Sequence, residues 1–363
     1  MHCAKKAIRY LCAIAACAIL LSLLGCAGKQ DPPVTGTDDD ISAGMTPEST
    51  IDTTSEEETT DMIQPASNAV NYRDKKCMWL SQFDLNKVYT NGGKQRDRAQ
   101  FEKYIKKILA NVKDNGINTI IVQVRPYADS MYPSDVYPMS SYVVGAYGNE
   151  ADYDPFEIII NEGHAAGLSV HAWINPMRAM LVKEITKVPE RFLIRQWYND
   201  TAKRGKYLVT VSDRVYLNPA YPEVRQLITD GAAEILERYA VDGLHMDDYF
   251  YPTTDASFDT AAYAAYKKDG GKLSLADYRR ECLSLLVSEL YRKTKEAGSD
   301  ILFGISPAGN INTVYEKQYA DVYRWCSEDG YLDYICPQVY FGLEHQTYDF
   351  KKVSNTFAGI IKN

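Results

Sequence analysis

The sequence predicts an α/β protein, a (β/α) barrel of the TIM type in which six of the usual eight units are visible, on three observations. From Cys77 onward, short β-rich runs alternate with longer helical periods. The strand candidates are apolar on both sides, as in a parallel sheet covered by helices. Polar and aromatic residues gather towards the C-terminal ends of the strands and long loops follow them, which is where a barrel builds its site. The competing architecture is an open doubly wound sheet. It requires a short glycine-rich turn at the first strand–helix junction, and the sequence has none there.

The N-terminus comes first. Lys5, Lys6 and Arg9 precede an apolar run from Leu11 to Leu24, shorter than the roughly 20 residues of a membrane span. The run ends Leu23-Leu24-Gly25-Cys26 and resembles the lipobox of bacterial lipoproteins. The expectation is a signal peptide over 1–25, lipidation of Cys26, and an extracytoplasmic protein held to a membrane by that lipid. An ordinary secretory signal is the alternative. Residues 26–70 read as a disordered tether, with ten acids against Lys29 and no aromatic residue, too little apolar surface to offset the entropy of ordering. That stretch carries a net −9 and the signal +3, so of the chain's −8 only −2 falls on residues 71–363. The folded domain is thus near neutral, which argues against nucleic acid as a partner. Cys77, Cys282, Cys326 and Cys336 fit no zinc spacing and are too sparse for a disulfide scaffold, so they read as structural.

Within 71–363 the strand candidates are 77–85, 118–126, 169–176, 243–251, 301–308 and 333–341. A helix after Asp97 repeats Phe101, Ile105, Ile108, Leu109 and Val112 at three- and four-residue steps. Asp97 and Gln100 give it a capping box, and Gly116 a stop. Further helices begin near Pro155, Pro222 and Ala276, the first two with proline in the first turn, and a sixth near Asp349. The chain reaches Asn363 there, so the barrel is expected to be incomplete at its C-terminal side, with exposed sheet edges and part of its core open.

Side chains two apart on a strand share a face. Applied to each strand's C-terminal half, this rule collects Gln82 and Asp84, then Gln123 and Arg125 followed by Tyr127. The third strand adds His171, Trp173 and Asn175, with Arg178 beyond it. The fourth gives His245, Asp247 and Tyr249, and the sixth Gln338 and Tyr340. An apolar core needs none of these amides, imidazoles and charges in phase; a polar pocket does. Asp247 and Asp248 are adjacent at a strand end, where repulsion raises their pKa values and lets one carry a proton while the other stays ionised. The same pair could otherwise be metal ligands or salt-bridge partners of Arg125 or Arg178. Tyrosines in the loops after the strands (Tyr127, Tyr132, Tyr137, Tyr142, Tyr147, Tyr249, Tyr251) suit the apolar faces of sugar rings, although packing explains any single one equally well.

Taken together, Trp79 to Asp84, Gln123-Val124-Arg125-Pro126, Trp173 to Arg178, Tyr216-Leu217-Asn218-Pro219, Asp242 to Pro252 and Pro337-Gln338-Val339-Tyr340 resemble the glycosyl-hydrolase-like family 10 of bacterial lipoproteins. The resemblance runs from about Lys76 to the end. It implies a (β/α)₈ barrel with glycosidase activity on peptidoglycan glycan strands stripped of stem peptides, and a site in which Asp84, Arg125, Asn175, Gln338 and Tyr340 surround Asp247 and Asp248. No Glu stands at the end of the fifth strand, Ser306 to Asn310, so the second carboxylate is sought at Asp248, Asp84 or a loop. The expected reaction is hydrolysis through an oxocarbenium-like transition state. Asp248 is the first choice of acid, and Asp247 the nucleophile or the group that orients the substrate's N-acetyl arm. No cofactor or metal is expected, and the partner is a polysaccharide. A glycan-binding lipoprotein that does not cut is the alternative from another class. A metal-dependent deacetylase is a third, disfavoured because the five histidines show no ligand spacing.

Overall fold

The structure is a computed structural model and describes residues 69–362. The expected signal, Cys26 and the tether as far as residue 68 lie outside the described residues. Six parallel strands form the main sheet in the order β1 (Cys77–Leu80), β2 (Thr119–Arg125), β3 (Ser169–Ile174), β7 (Gly243–Met246), β8 (Leu302–Ile305) and β9 (Tyr334–Ile335). They curl into an open half-barrel. Thr90–Asn91 and Lys94–Gln95 form a two-residue-strand antiparallel hairpin, and β4 (Arg178–Leu181), β5 (Leu208–Val211) and β6 (Arg214–Leu217) make a small antiparallel sheet inserted after β3.

Burial follows position in the sheet. All seven residues of the interior strand β2 are buried, whereas the edge strand β9 is only half-buried. Along that edge runs an apolar groove lined by Trp79, Ile335, Val339, Phe350, Phe357 and Ile361. An open sheet leaves part of its inner layer without a partner, as the count of strands implied.

The helices start and stop where local chemistry dictates. Asp97 caps Arg98–Asp114 by accepting from the Gln100 amide at 3.2 Å, and Gly116, at φ +73°, turns the chain away. Pro155 and Pro222 open Pro155–Ala165 and Pro222–Arg238, where a missing N–H costs nothing. The longest helix, Leu275–Ala297, buries Cys282, Leu283, Leu286, Val287 and Leu290 at helical spacing.

One expected strand is half helix. β1 stops at Leu80, and Gln82–Tyr89 is helical with Ser81 as its N-cap. Ser81 N and Oγ both donate to Asp84 Oδ2, at 2.9 and 2.7 Å, and Asp84 N donates back to Ser81 Oγ. Asp84 is therefore the third residue of a capping box. The alternation that put Gln82 and Asp84 on one strand face does not apply to it.

Strand register sets two levels of inward-facing side chains. Trp79, Ile121, His171, Gly243 and Leu302 align at one level, and Gln123, Trp173, His245, Gly304 and Tyr334 at the next. The outward face packs on helices: Gly163 lies so close to Val170 that a Cβ there would meet its methyl at 2.7 Å.

Candidate active site

The third level, just beyond the strand ends, is the floor and wall of a cleft of about 260 Å³. β7 ends at Met246, so Asp247 and Asp248 lie past the strand, where strict alternation no longer holds and both carboxyls line the cleft. Trp79 and Trp173 stand beside them, with Gln82, Gln123, Ser306 and Gln338 as polar lining and Arg178, Tyr249, Tyr340 and Phe83 at the rim. Tyr340 and Phe83 are 85% and 66% exposed, large aromatic faces left bare at the mouth.

Asp247 is fixed by a relay. Gln82 N donates to Gln123 Oε1 at 3.2 Å, and Gln123 Nε2 donates to Asn175 Oδ1 at 2.8 Å. Asn175 Nδ2 then donates to both Asp247 oxygens, at 3.1 and 3.0 Å, while the Tyr249 amide donates to Oδ1 at 3.2 Å. Oδ1 is thus doubly engaged, and Oδ2 is the oxygen with a lone pair free to hold a proton. Burial, and then the charge of Asp248, pushes the Asp247 carboxyl up to about 8, against the pull of the Tyr249 amide, Asn175 and Arg178. Burial also raises Asp248, which is only partly covered, and the Gln338 amide and Arg178 offset it. Both carboxyls are thus raised, and burial acts more fully on Asp247 than on Asp248. Burial, which sequence does not display, makes Asp247 a candidate acid beside Asp248, the first choice from sequence.

Arg178 lies 4.0 Å over the Tyr249 ring and 5.0 Å from the centre of Tyr127, and its buried Nε has no hydrogen-bond partner among the described residues. Tyr127 is buried behind it, accepting from Gln82 Nε2 at 3.0 Å, and supports the wall without lining it.

The structure brings Trp173, Arg178, Asp247, Asp248, Tyr249, Gln338 and Tyr340 to the cleft, with Asn175 directly behind Asp247. It takes five expected residues elsewhere, the buried Tyr127 behind the wall among them. Asp84 caps its helix. Arg125 points away from the cleft, because a register shift between Gln123 and Arg125 pairs Arg125 with the outward Ile174. Its Nη2 donates to Tyr132 Oη and to the Gly231 carbonyl, both at 2.6 Å, and its guanidinium lies 4.3 Å over Tyr137. His171 and His245 are fully buried beneath the cleft, in the two lower levels. Conversely, Trp79 and Ser306 were not singled out as site residues. The pattern Ser81-x-x-Asp84 marks a helix start; ending β1 there would have made Trp79 its last inward residue.

Comparison with known proteins places the chain. Residues 74–363 match the family model Glycosyl hydrolase-like 10. Over 316 residues the chain is 32% identical to Glycosyl hydrolase YngK of Bacillus subtilis (strain 168), spanning 82% of this chain and 60% of that protein. It is 31% identical over 322 residues to Glycosyl hydrolase DigH of Escherichia coli (strain K12), spanning 82% and 72%. Among solved structures, the glycoside hydrolase domain of PgaB (BpsB) from Bordetella bronchiseptica superposes with a TM-score of 0.53 at 13% identity, over 79% of this chain and 80% of that one. At that identity the likeness is one of fold.

Proposed function

This chain belongs to the glycosyl hydrolase-like 10 family, and we propose that it hydrolyses glycosidic bonds in peptidoglycan glycan strands. The observation that carries the reading is the adjacent carboxyl pair at the end of β7, one member buried, held by Asn175 and pushed up to about 8. A coupled pair of this kind holds one proton at neutral pH. Asp247 Oδ2 gives that proton to the leaving glycosidic oxygen. The ionised Asp248, whose titration Arg178 restrains, stabilises the positive charge that develops on the sugar; a water then adds its oxygen to the anomeric carbon and returns a proton to the carboxyl pair. The indole faces of Trp79 and Trp173 and the rim aromatics fit the apolar faces of pyranose rings. Gln123, Gln338 and Ser306 supply hydrogen bonds to hydroxyls and acetamido groups.

We further propose that Cys26 carries the lipid that holds the domain at a membrane outside the cytoplasm. Cys26→Ser, followed by membrane fractionation and labelling with a radioactive fatty acid, tests this. Label and membrane association retained in the variant would exclude it.

The enzymatic reading is tested by incubating peptide-free and peptide-bearing glycan strands with wild type and Asp247→Asn and measuring new reducing ends. Release from peptide-free strands by wild type alone is expected. The open sheet edge favours a second reading, a glycan-binding protein, and binding without release of reducing ends would establish that one instead.

A further inference from the structure

Beneath the cleft, five side chains from five separate segments form one continuous hydrogen-bonded line. Trp79 Nε1 lies 3.3 Å from His245 Nε2, and His245 Nδ1 lies 2.9 Å from Tyr334 Oη. Tyr334 Oη lies 2.9 Å from His171 Nδ1, and His171 Nε2 lies 3.2 Å from Asn71 Oδ1. Asn71 Nδ2 donates to the carbonyls of Asp242 and Asp300 at 2.9 and 3.0 Å.

The two ends fix the direction of every bond between them. An indole N–H only donates, so His245 Nε2 must accept and its proton sits on Nδ1. That N–H donates to Tyr334 Oη, which leaves the single phenolic proton to donate to His171 Nδ1. His171 then carries its proton on Nε2 and donates to Asn71 Oδ1. This oxygen is the accepting end because the amide nitrogen is already committed to two carbonyls. Both histidines are neutral in this arrangement. Burial, the largest cause in each case, holds His171 down to about 4 and His245 down to about 3, which agrees. The barrel interior is cut to admit the line: at Gly304 a Cβ would run into the Tyr334 ring, and at Gly243 into His171.

We propose that Tyr334 and His245 are positioning residues for the cleft: by enforcing opposite tautomers on the two histidines they present His245 Nε2 as the acceptor that holds the Trp79 indole against the sugar. Trp79 is the only member of the line that reaches the cleft lining, so the line acts on substrate through this indole. Its consequence for catalysis rests on the sugar-cleaving reading; the tautomers do not.

Long-range proton–nitrogen correlation spectra of the ¹⁵N-histidine-labelled full chain near neutral pH test the tautomers without any substrate. The expected result is His245 protonated on Nδ1 alone and His171 on Nε2 alone. The same tautomer at both, or a charged ring at either, would overturn the proposal whether or not the protein cleaves glycan. The functional arm compares His245→Gln with His245→Leu on peptide-free glycan strands. Glutamine can accept from Trp79 through Oε1 and donate to Tyr334 through Nε2; leucine can do neither. Near wild-type KM in His245→Gln and a rise of about tenfold in His245→Leu with kcat little changed is expected, the size of one hydrogen bond's net contribution. Equal effects of the two substitutions, or none, would sink the positioning role even with the predicted tautomers in place. Because the spectra need no variant, a misfolded His245→Leu leaves the proposal open to refutation.

Discussion

Asp247→Asn should abolish hydrolysis and stabilise the fold at alkaline pH, and the pH dependence of the gain is the informative part. In the unfolded chain the carboxyl ionises near 3.8; in the native protein it holds its proton up to about 8. A raised carboxyl pKa means that the native state binds more protons than the unfolded state between those values, so wild-type stability falls as pH rises through that window and levels off above it. At about 1.36 kcal/mol per pKa unit the whole window corresponds to an upper limit on the order of 5 kcal/mol. The amide replacement keeps an oxygen to accept from the Tyr249 amide and Asn175 but turns an NH₂ towards other donors, so roughly half should be realised, about 2 kcal/mol. For a domain of this size that is a rise of about 5 °C in Tm at pH 8.5. At pH 4 the ionisation penalty is nearly absent and only the cost of the amide remains, so the variant should be the less stable by about 3 kcal/mol. Thermal unfolding of wild type and variant at both values is the assay. A gain of equal size at pH 4 and 8.5, or a loss at 8.5, would refute the claim that burial holds this carboxyl protonated.

Other expectations follow from single contacts. Arg279 and Asp259 form a fully buried pair, Nη2 to Oδ1 at 2.7 Å, that ties the loop after β7 to the longest helix. Arg279→Leu should cost about 3–5 kcal/mol by leaving Asp259 uncompensated, and adding Asp259→Leu should recover most of it, as read by denaturant unfolding. Arg125→Met should lower stability by about 1–3 kcal/mol through its lost hydrogen bonds while leaving KM unchanged, since the guanidinium faces the helices; a raised KM at unchanged stability would return Arg125 to the cleft. Tyr340→Ala, at an 85% exposed position, should change stability by less than about 0.5 kcal/mol. It should raise KM about fivefold, on the order of the 1 kcal/mol of an aromatic contact.

The fold was legible because its signals are local and repeated. Short β-rich runs alternating with helical periods marked the six strands, and Asp97, Pro155 and Pro222 marked helix starts that the structure places within a residue or two. The cleft was legible only in part, and each difference has one cause. Alternation predicts a face only while the strand lasts and its register is unbroken. It therefore assigned Trp173 inward, as found, but failed at Asp84, where a helix cap begins, and at Arg125, where a bulge reverses the side. His171 and His245 do face inward, yet depth along the barrel axis separates a pocket residue from a floor residue, and depth depends on how neighbouring strands are staggered. The unequal burial of the two carboxyls was hidden for a similar reason, since burial comes from residues far apart in the chain.

Catalysis by a protonated Asp247 is tested most directly by the pH dependence of kcat/KM on peptide-free glycan strands. The profile should be a bell whose alkaline limb falls near 8, where Asp247 loses its proton, and Asp247→Asn should show no measurable turnover at any pH. An alkaline limb that stays flat to pH 10, or an Asp247→Asn variant that turns over at the wild-type rate, would contradict it.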